Sequence, residues 1–302
     1  MSKQTFDSFV KRQITLERVK KGEGRKIIDS LYTPDKKTRA IINNLPRNPK
    51  EEDFQKAYQQ IKELYKDHSL WFFSVGAVIA SKIKKREEAW LKRKMEFDLD
   101  PATEPKIFTN KYKGRTIRSW TNRTYAKRIR LIKKALKPNL TIAERITELQ
   151  KAFNVSNHDF QTVTNVLVTQ TVARTRQEML NNRIDLITWV SVLDSQTTDI
   201  CMARSQKLYY ANSLQPFGHS LPYGAGPGRI HFNCRSIAVP TEFNEDPTQY
   251  ANDYEGWLRT QPLSTVEKIL GKEQAKQFLI YGIALGAFVI SRDSEIDIDN
   301  LP

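Results

Sequence analysis

The sequence predicts an α+β protein: a mainly helical N-terminal part, a small β-containing C-terminal domain, and terminal helices after it. Three observations carry this prediction. Residues 7–94 are rich in helix formers and place apolar side chains at helical spacing, with no alternating pattern. Residues 187–193 read ITWVSVL, apolar and β-branched on both faces, which is the composition of a buried strand. Helical spacing returns after Pro240. With 39% hydrophobic residues, 5 Trp and 14 Phe in 302 residues, the chain can bury a substantial core as one large domain or two ordinary ones.

In the helical N-terminal region, residues 1–104, the stretches 52–65 and 69–97 are two helical candidates. Two prolines and several acids at 98–105 mark a loop. A basic segment, 105–140, follows. Gly114 and Pro138 bound a predicted helix over 116–136, with Trp120, Ile129, Leu131, Ile132 and Leu136 inward and the cations outward. Thr141 with Glu144 three residues later is a capping-box signature, and Ile142, Ile146, Leu149 and Phe153 follow on one face. Ser156 and Asn157 start a second predicted helix through 182, striped by Phe160, Val163 and Leu167. The strand at 187–193 takes 208–210 and 236–239 as shorter partners. Before the last of these, PFGHSLPYGAGPGR is too rich in Gly and Pro for regular structure. An aromatic patch at Tyr250, Tyr254 and Trp257 precedes a helix capped by Ser264 with Glu267 and ended near Gly271. Gly282 or Gly286 ends the next, and an acidic tail occupies 291–302.

The net charge of +15 is unevenly spread. Residues 81–140 carry 19 basic and 6 acidic side chains, whereas 241–302 carry 5 basic and 11 acidic. The densest field holds Lys111, Lys113, Arg115, Arg118, Arg123, Lys127, Arg128, Arg130, Lys133, Lys134 and Lys137, and no acid occurs from 105 to 143. Such a field suits a polyanion, with Tyr112, Trp120 and Tyr125 available to stack on bases or to pack on the protein. A solvated basic face of a helical domain has the same composition. The N-terminal MSKQTFDSFVKRQ lacks the apolar core of a secretory signal, so a cytoplasmic site of synthesis is expected. The apolar runs at 70–80 and 278–290 are shorter than the roughly 20 residues that span a bilayer, so they are expected to be buried helices and no membrane partner is expected.

The β-rich segment gathers polar residues at strand ends: Asp194 and Thr197, then Cys201, then His231, Cys234 and Arg235. Cys201, His231 and Cys234 supply three zinc-type donors, one short of a closed structural site, and neither His219 nor Asp194 has diagnostic spacing for the fourth. No bound metal or other cofactor is expected on that count. A close thiol pair or disulfide and two simple buried cysteines are the other readings. As a nuclease-like site, His231 would be the base near Asp194, with Arg235 neutralising a phosphate. As a structural site, Arg235 pairs with Asp194 and His231 ties the glycine loop down. The structural reading is preferred, and Trp189 is read as core.

The run WVSVLDSQTTDICMARSQKLY followed by GPGRIHFNCRSIAVP resembles the phage head morphogenesis family, the minor head proteins typified by the F protein of phage Mu. Trp189, Asp194, Thr197, Cys201, Lys207, His231, Asn233, Cys234, Arg235 and Pro240 match the family pattern in order, and the resemblance extends over residues 112–290. Relatives often carry a Cys-x-x-Cys pair where this chain begins with Thr198, and Arg-Thr-Glu where it has Val168-Thr169-Gln170. The resemblance implies a head morphogenesis domain over 141–290, with a β-rich core at 187–240 and helices at 255–290. It also implies a low-copy minor capsid protein inside the procapsid and virion, associated with the portal, possible scaffold or capsid contacts, and packaged double-stranded DNA. On this reading the protein is not an enzyme; the alternative is a nucleic-acid-processing enzyme using Asp194, His231 and Arg235.

Overall fold

The computed structural model describes residues 3–95, 98–103, 111–112, 115–181, 183–192, 197–231, 234–241 and 253–288. The protein is mainly helical, with a small antiparallel sheet and terminal helices. Helices α1 (Lys3–Ser30), α2 (Tyr32–Asn43), α3 (Glu51–Lys94), α4 (Ile117–Lys133) and α5 (Ile142–Leu180) form a bundle in which α5 packs along α1, α3 and α4. A short hairpin, β1 (Lys111–Tyr112) with β2 (Arg115–Thr116), leads into α4, and a 3-10 turn at Lys134–Leu136 leaves it.

One core runs through the bundle from Leu16 to Val172 and includes Ile61, Phe72, Tyr125, Leu149, Phe153 and Phe160. The N-terminal region, the basic segment and the first helix of the expected 141–290 domain therefore share a single hydrophobic interior.

Two helices run longer than the sequence predicts. Residues 52–65 and 69–94 belong to the one helix α3, where Ser69 turns its hydroxyl back to the Lys66 carbonyl (2.7 Å). Ser156 and Asn157 do not start a helix, because α5 passes straight through them. The Ser156 hydroxyl donates to the Ala152 carbonyl (2.6 Å), and both side chains accept from Arg128, so neither is left to cap. The capping box at Thr141 and Glu144 forms as expected, with reciprocal bonds of 3.3 and 2.8 Å. Ile142 and Ile146 are nevertheless exposed; the buried face of this first turn begins at Arg145 and Leu149 instead.

The sheet has the order β5-β4-β3-β6, from β3 (Leu186–Val190), β4 (Leu208–Tyr210), β5 (Pro216–Phe217) and β6 (Ile237–Thr241). Strand β5 falls within the stretch expected to be irregular. Strand β3 is central and buried throughout. Its alternation divides two cores: Ile187 and Trp189 face Cys201, Tyr209, Tyr223 and Cys234, whereas Val190 joins Ile237 and Val239 against Phe9, Trp90 and Met179 of the bundle. The short helix α6 (Asp199–Arg204) lies between β3 and β4.

Helices α7 (Tyr254–Arg259), α8 (Leu263–Leu270) and α9 (Lys272–Ile280) close a fourth cluster with Met202 and Leu221. Helix α8 begins after Pro262, so Ser264 sits inside the helix and does not cap it. Gly271 ends α8 at φ +86° and Gly282 follows α9 at φ +68°, as their positions in the sequence suggest. No helix among the described residues is long and apolar enough to cross a membrane.

Candidate functional site

Helix α4 starts where the Thr116 side chain accepts from the Ser119 amide (3.1 Å). Its buried face carries Ile117, Trp120, Thr121, Thr124, Tyr125, Arg128 and Ile132. Trp120 and Tyr125 are thus core residues and not stacking platforms. Arg128 must be withdrawn from the nucleic-acid set, since its side chain has no exposed surface. Its guanidinium lies 4.8 Å from the Phe153 ring centroid, grips both oxygens of Asp35 at 2.5 Å, and bonds Ser156 and Asn157. Asp35 supplies the acid that the basic segment itself lacks.

The remaining cations sort by face. Arg118, Arg123, Arg130, Lys133, Lys134 and Lys137 are exposed. Lys127 is half-buried and pairs with Asp159 at 2.6 Å. The stems of Arg118 and Lys133 lie on aromatic rings, with their charged heads 4.5 Å from the Phe73 centroid and 5.2 Å from that of Tyr58. Arg123, Lys127, Arg130 and Lys134 recur at spacings of four, three and four, which aligns them along one stripe of ~16 Å. Lys111 and Arg115 lie on the β1–β2 hairpin; Lys113 is outside the described residues.

Beside Arg128 lies a buried polar network. The Tyr65 hydroxyl donates to Asp35 (2.5 Å), His68 Nδ1 meets the Tyr125 hydroxyl (2.6 Å), and His68 Nε2 meets Ser30 Oγ (3.0 Å). Burial lowers the His68 pKa to about 4; the Ser30 hydrogen bond opposes this and the nearby Arg128 charge adds to it.

The second cluster sits where α6 meets the loop that enters β6. Cys201, in the first turn of α6, places its Sγ 3.6 Å from Cys234 Sγ and 2.9 Å from His231 Nε2. Thr198, at the start of α6, directs its hydroxyl to His231 Nε2 (2.8 Å) and does not cap the helix. Neither cysteine is in a disulfide. The Gly228 amide donates to Cys234 Sγ at 3.2 Å, and Ser191 holds the cluster to the end of β3 by bonds to the Cys201 carbonyl (2.7 Å) and Ser236 (3.1 Å). Burial and the facing Cys234 sulfur hold the Cys201 thiol well above its ordinary range. At Cys234 burial acts in the same direction, but hydrogen bonds from Cys201 and His231 outweigh it and hold that thiol well below.

The structure therefore brings Thr197, Cys201, His231, Cys234 and Arg235 to one end of the sheet; Arg235 reaches Thr197 Oγ1 at 3.4 Å. Asp194 and Asn233 lie outside the described residues, and the expected Asp194–Arg235 pair with them. Trp189 is buried, as expected, edge-on to Tyr223 at 5.8 Å. His219 is not a fourth ligand. Its Nδ1 accepts from the Leu221 amide (3.1 Å) and its Nε2 meets the Leu208 carbonyl (2.8 Å), so both ring nitrogens are engaged at the β4–β5 edge. Sequence reasoning missed Gly228 and Ser191 as members of the cluster; only the glycine-rich run before His231 signalled a close backbone approach. No protein-family model, curated protein or solved structure matches the chain.

Proposed function

We propose that the protein is a minor head protein of a tailed bacteriophage that binds double-stranded DNA without sequence preference and acts beside the portal in procapsid assembly or genome delivery. The observation that carries the DNA-binding part is the set of exposed cations on α4 and the turn after it, which face outward where Arg128 turns inward. An ordered row of point charges reads phosphate and not base edges, so contacts of this kind are independent of sequence. The head-protein part rests on the resemblance of residues 187–240. The acidic composition of residues 241–302 supports a separate protein contact, with the portal or with scaffold or capsid protein.

Affinity for duplex DNA should fall steeply with salt and should be equal for duplexes of unrelated sequence. Replacing Arg123, Arg130, Lys133 and Lys134 by Gln should reduce the log-log salt slope by about 3 to 4. Salt-insensitive binding, or an unchanged slope in that variant, overturns the DNA-binding role. Fractionated virions and procapsids test the other half: the protein belongs in one or both, and absence from both rejects a head protein.

A further inference from the structure

The geometry points to a binding site for a thiophilic divalent cation, zinc foremost, held by Cys201 Sγ, Cys234 Sγ and His231 Nε2. The sequence gathers these donors at strand ends but leaves them one short of a closed site. In the fold all three donor atoms lie within 4.8 Å of one another, and both cysteines are buried. They arrive from separate stretches, one from the first turn of α6 and two from the loop before β6.

The separations fit a metal better than a disulfide. Two thiolates bound to one tetrahedral zinc at about 2.3 Å stand ~3.8 Å apart, against about 2.05 Å in a disulfide. The observed 3.6 Å is within 0.2 Å of the first and 1.5 Å from the second. The approach of His231 Nε2 to Cys201 Sγ, 2.9 Å, must open by ~0.7 Å to reach the spacing that an imidazole and a thiolate take around zinc. The His231 side chain is half-buried.

Two further features match what a thiolate ligand needs. The Gly228 amide is aimed at Cys234 Sγ, and a backbone N–H donor of this kind stabilises a metal-bound thiolate. Gly228 holds that aim because its φ is +76° and because a β-carbon there would stand 2.9 Å from Thr169 Cγ2 on α5. Charge balances as well: a divalent cation with two thiolates and a neutral imidazole is neutral overall, which suits a buried site. The fourth position opens toward Thr198, whose hydroxyl already faces His231 Nε2, and that hydroxyl or a water completes the shell. The ion would add a clamp from α6 to a loop already tied by Arg204 to the Pro222 carbonyl and by Arg229 to Gln177.

The test uses the full-length protein prepared without oxygen and loaded with equimolar zinc, then with cobalt. We expect about one equivalent of zinc by elemental analysis, and a thiolate-to-cobalt charge-transfer band in the cobalt form. The melting temperature should fall with a chelator and return with zinc. Cys234→Ser should lose the ion. Because that variant is at risk of not folding, Thr198→Cys supplies the converse: a fourth thiolate at the open position should tighten zinc at least ~10-fold. Less than ~0.2 equivalents in folded wild-type protein, a chelator-insensitive melt, or a Thr198→Cys affinity no tighter than wild type each overturns the site. A mass two units lower under non-reducing conditions overturns it in favour of a disulfide.

Discussion

The helical bundle and the β-containing part bury polar chemistry differently. The bundle buries full charges, each paired across helices far apart in sequence: Arg128 with Asp35, and Glu87 with both Arg12 and Arg176. The β-containing part buries mainly soft or neutral groups: the two thiols, the facing hydroxyls of Thr188 and Thr241, and the ring stack of Trp189, Tyr209 and Tyr223. Its buried guanidinium, Arg204, lies over the Trp189 ring and donates to the backbone carbonyls of Pro222 and Ile200. The difference follows from core size. Helices of 28, 44 and 39 residues enclose enough aromatic surface to surround a guanidinium and fix it against its partner. Around strands of two to five residues the buried guanidinium of Arg204 donates to backbone carbonyls, and the connecting loop is anchored by close backbone contacts. The bundle should therefore fail by losing a charge partner, and the β part by losing an anchor.

The strongest way to break this comparison is Arg128→Ala. It strands the Asp35 carboxylate in the core and should cost about 3 to 5 kcal/mol by denaturant unfolding. Arg128→Met combined with Asp35→Asn removes both charges and should be much milder than the sum of the single changes. A loss under ~0.5 kcal/mol for Arg128→Ala would mean the residue behaves as a surface cation.

His68 gives the next largest effect, through pH. Its folded pKa of about 4 lies below the unfolded value near 6.5, so the unfolded chain binds the proton first. Stability from this group is fully present above pH 6.5 and is lost as pH falls toward 4, by up to roughly 3 kcal/mol. Comparing unfolding free energies of wild type and His68→Gln across that range isolates the group from the carboxylates. Parallel curves would show that His68 titrates in the folded protein as freely as in the unfolded chain.

In the β part the corresponding change is Gly228→Ala. The left-handed backbone and the contact with Thr169 should together cost about 1 to 2 kcal/mol, read as a lower melting temperature. An unchanged melt would show that the loop is ordered without its seat on α5.

The features legible in sequence were those set by local chemistry. The Thr141–Glu144 box, the buried strand expected over 187–193 and found over Leu186–Val190, its partner at 208–210 and the stops at Gly271 and Gly282 each follow from a residue and its near neighbours. What escaped was set by residues remote in the chain. Arg128 looks like one more surface cation until Asp35, 93 positions away, reaches it. Ser156 and Asn157 look like a helix start until that same arginine occupies them. Cys201 and His231–Cys234 were legible as donors that the pairing of β3 with β6 brings together, but their separations, and the approach of Gly228 from its seat on α5, were not.

The smallest expected effect divides one helix into its two roles. Arg123 and Arg130 stand on the open face of α4, so changing either to Gln should leave stability within about 0.5 kcal/mol of wild type. Each change should nonetheless lower the log-log salt slope of duplex binding by about 0.8, because one phosphate contact is lost. Any folded Arg128→Gln protein should do the reverse and keep the slope while losing stability. Measuring melts and salt slopes on the same three variants therefore assigns each arginine independently. If Arg123 and Arg130 left the slope unchanged, their face of α4 would be a solvated surface and the DNA contact would have to lie elsewhere.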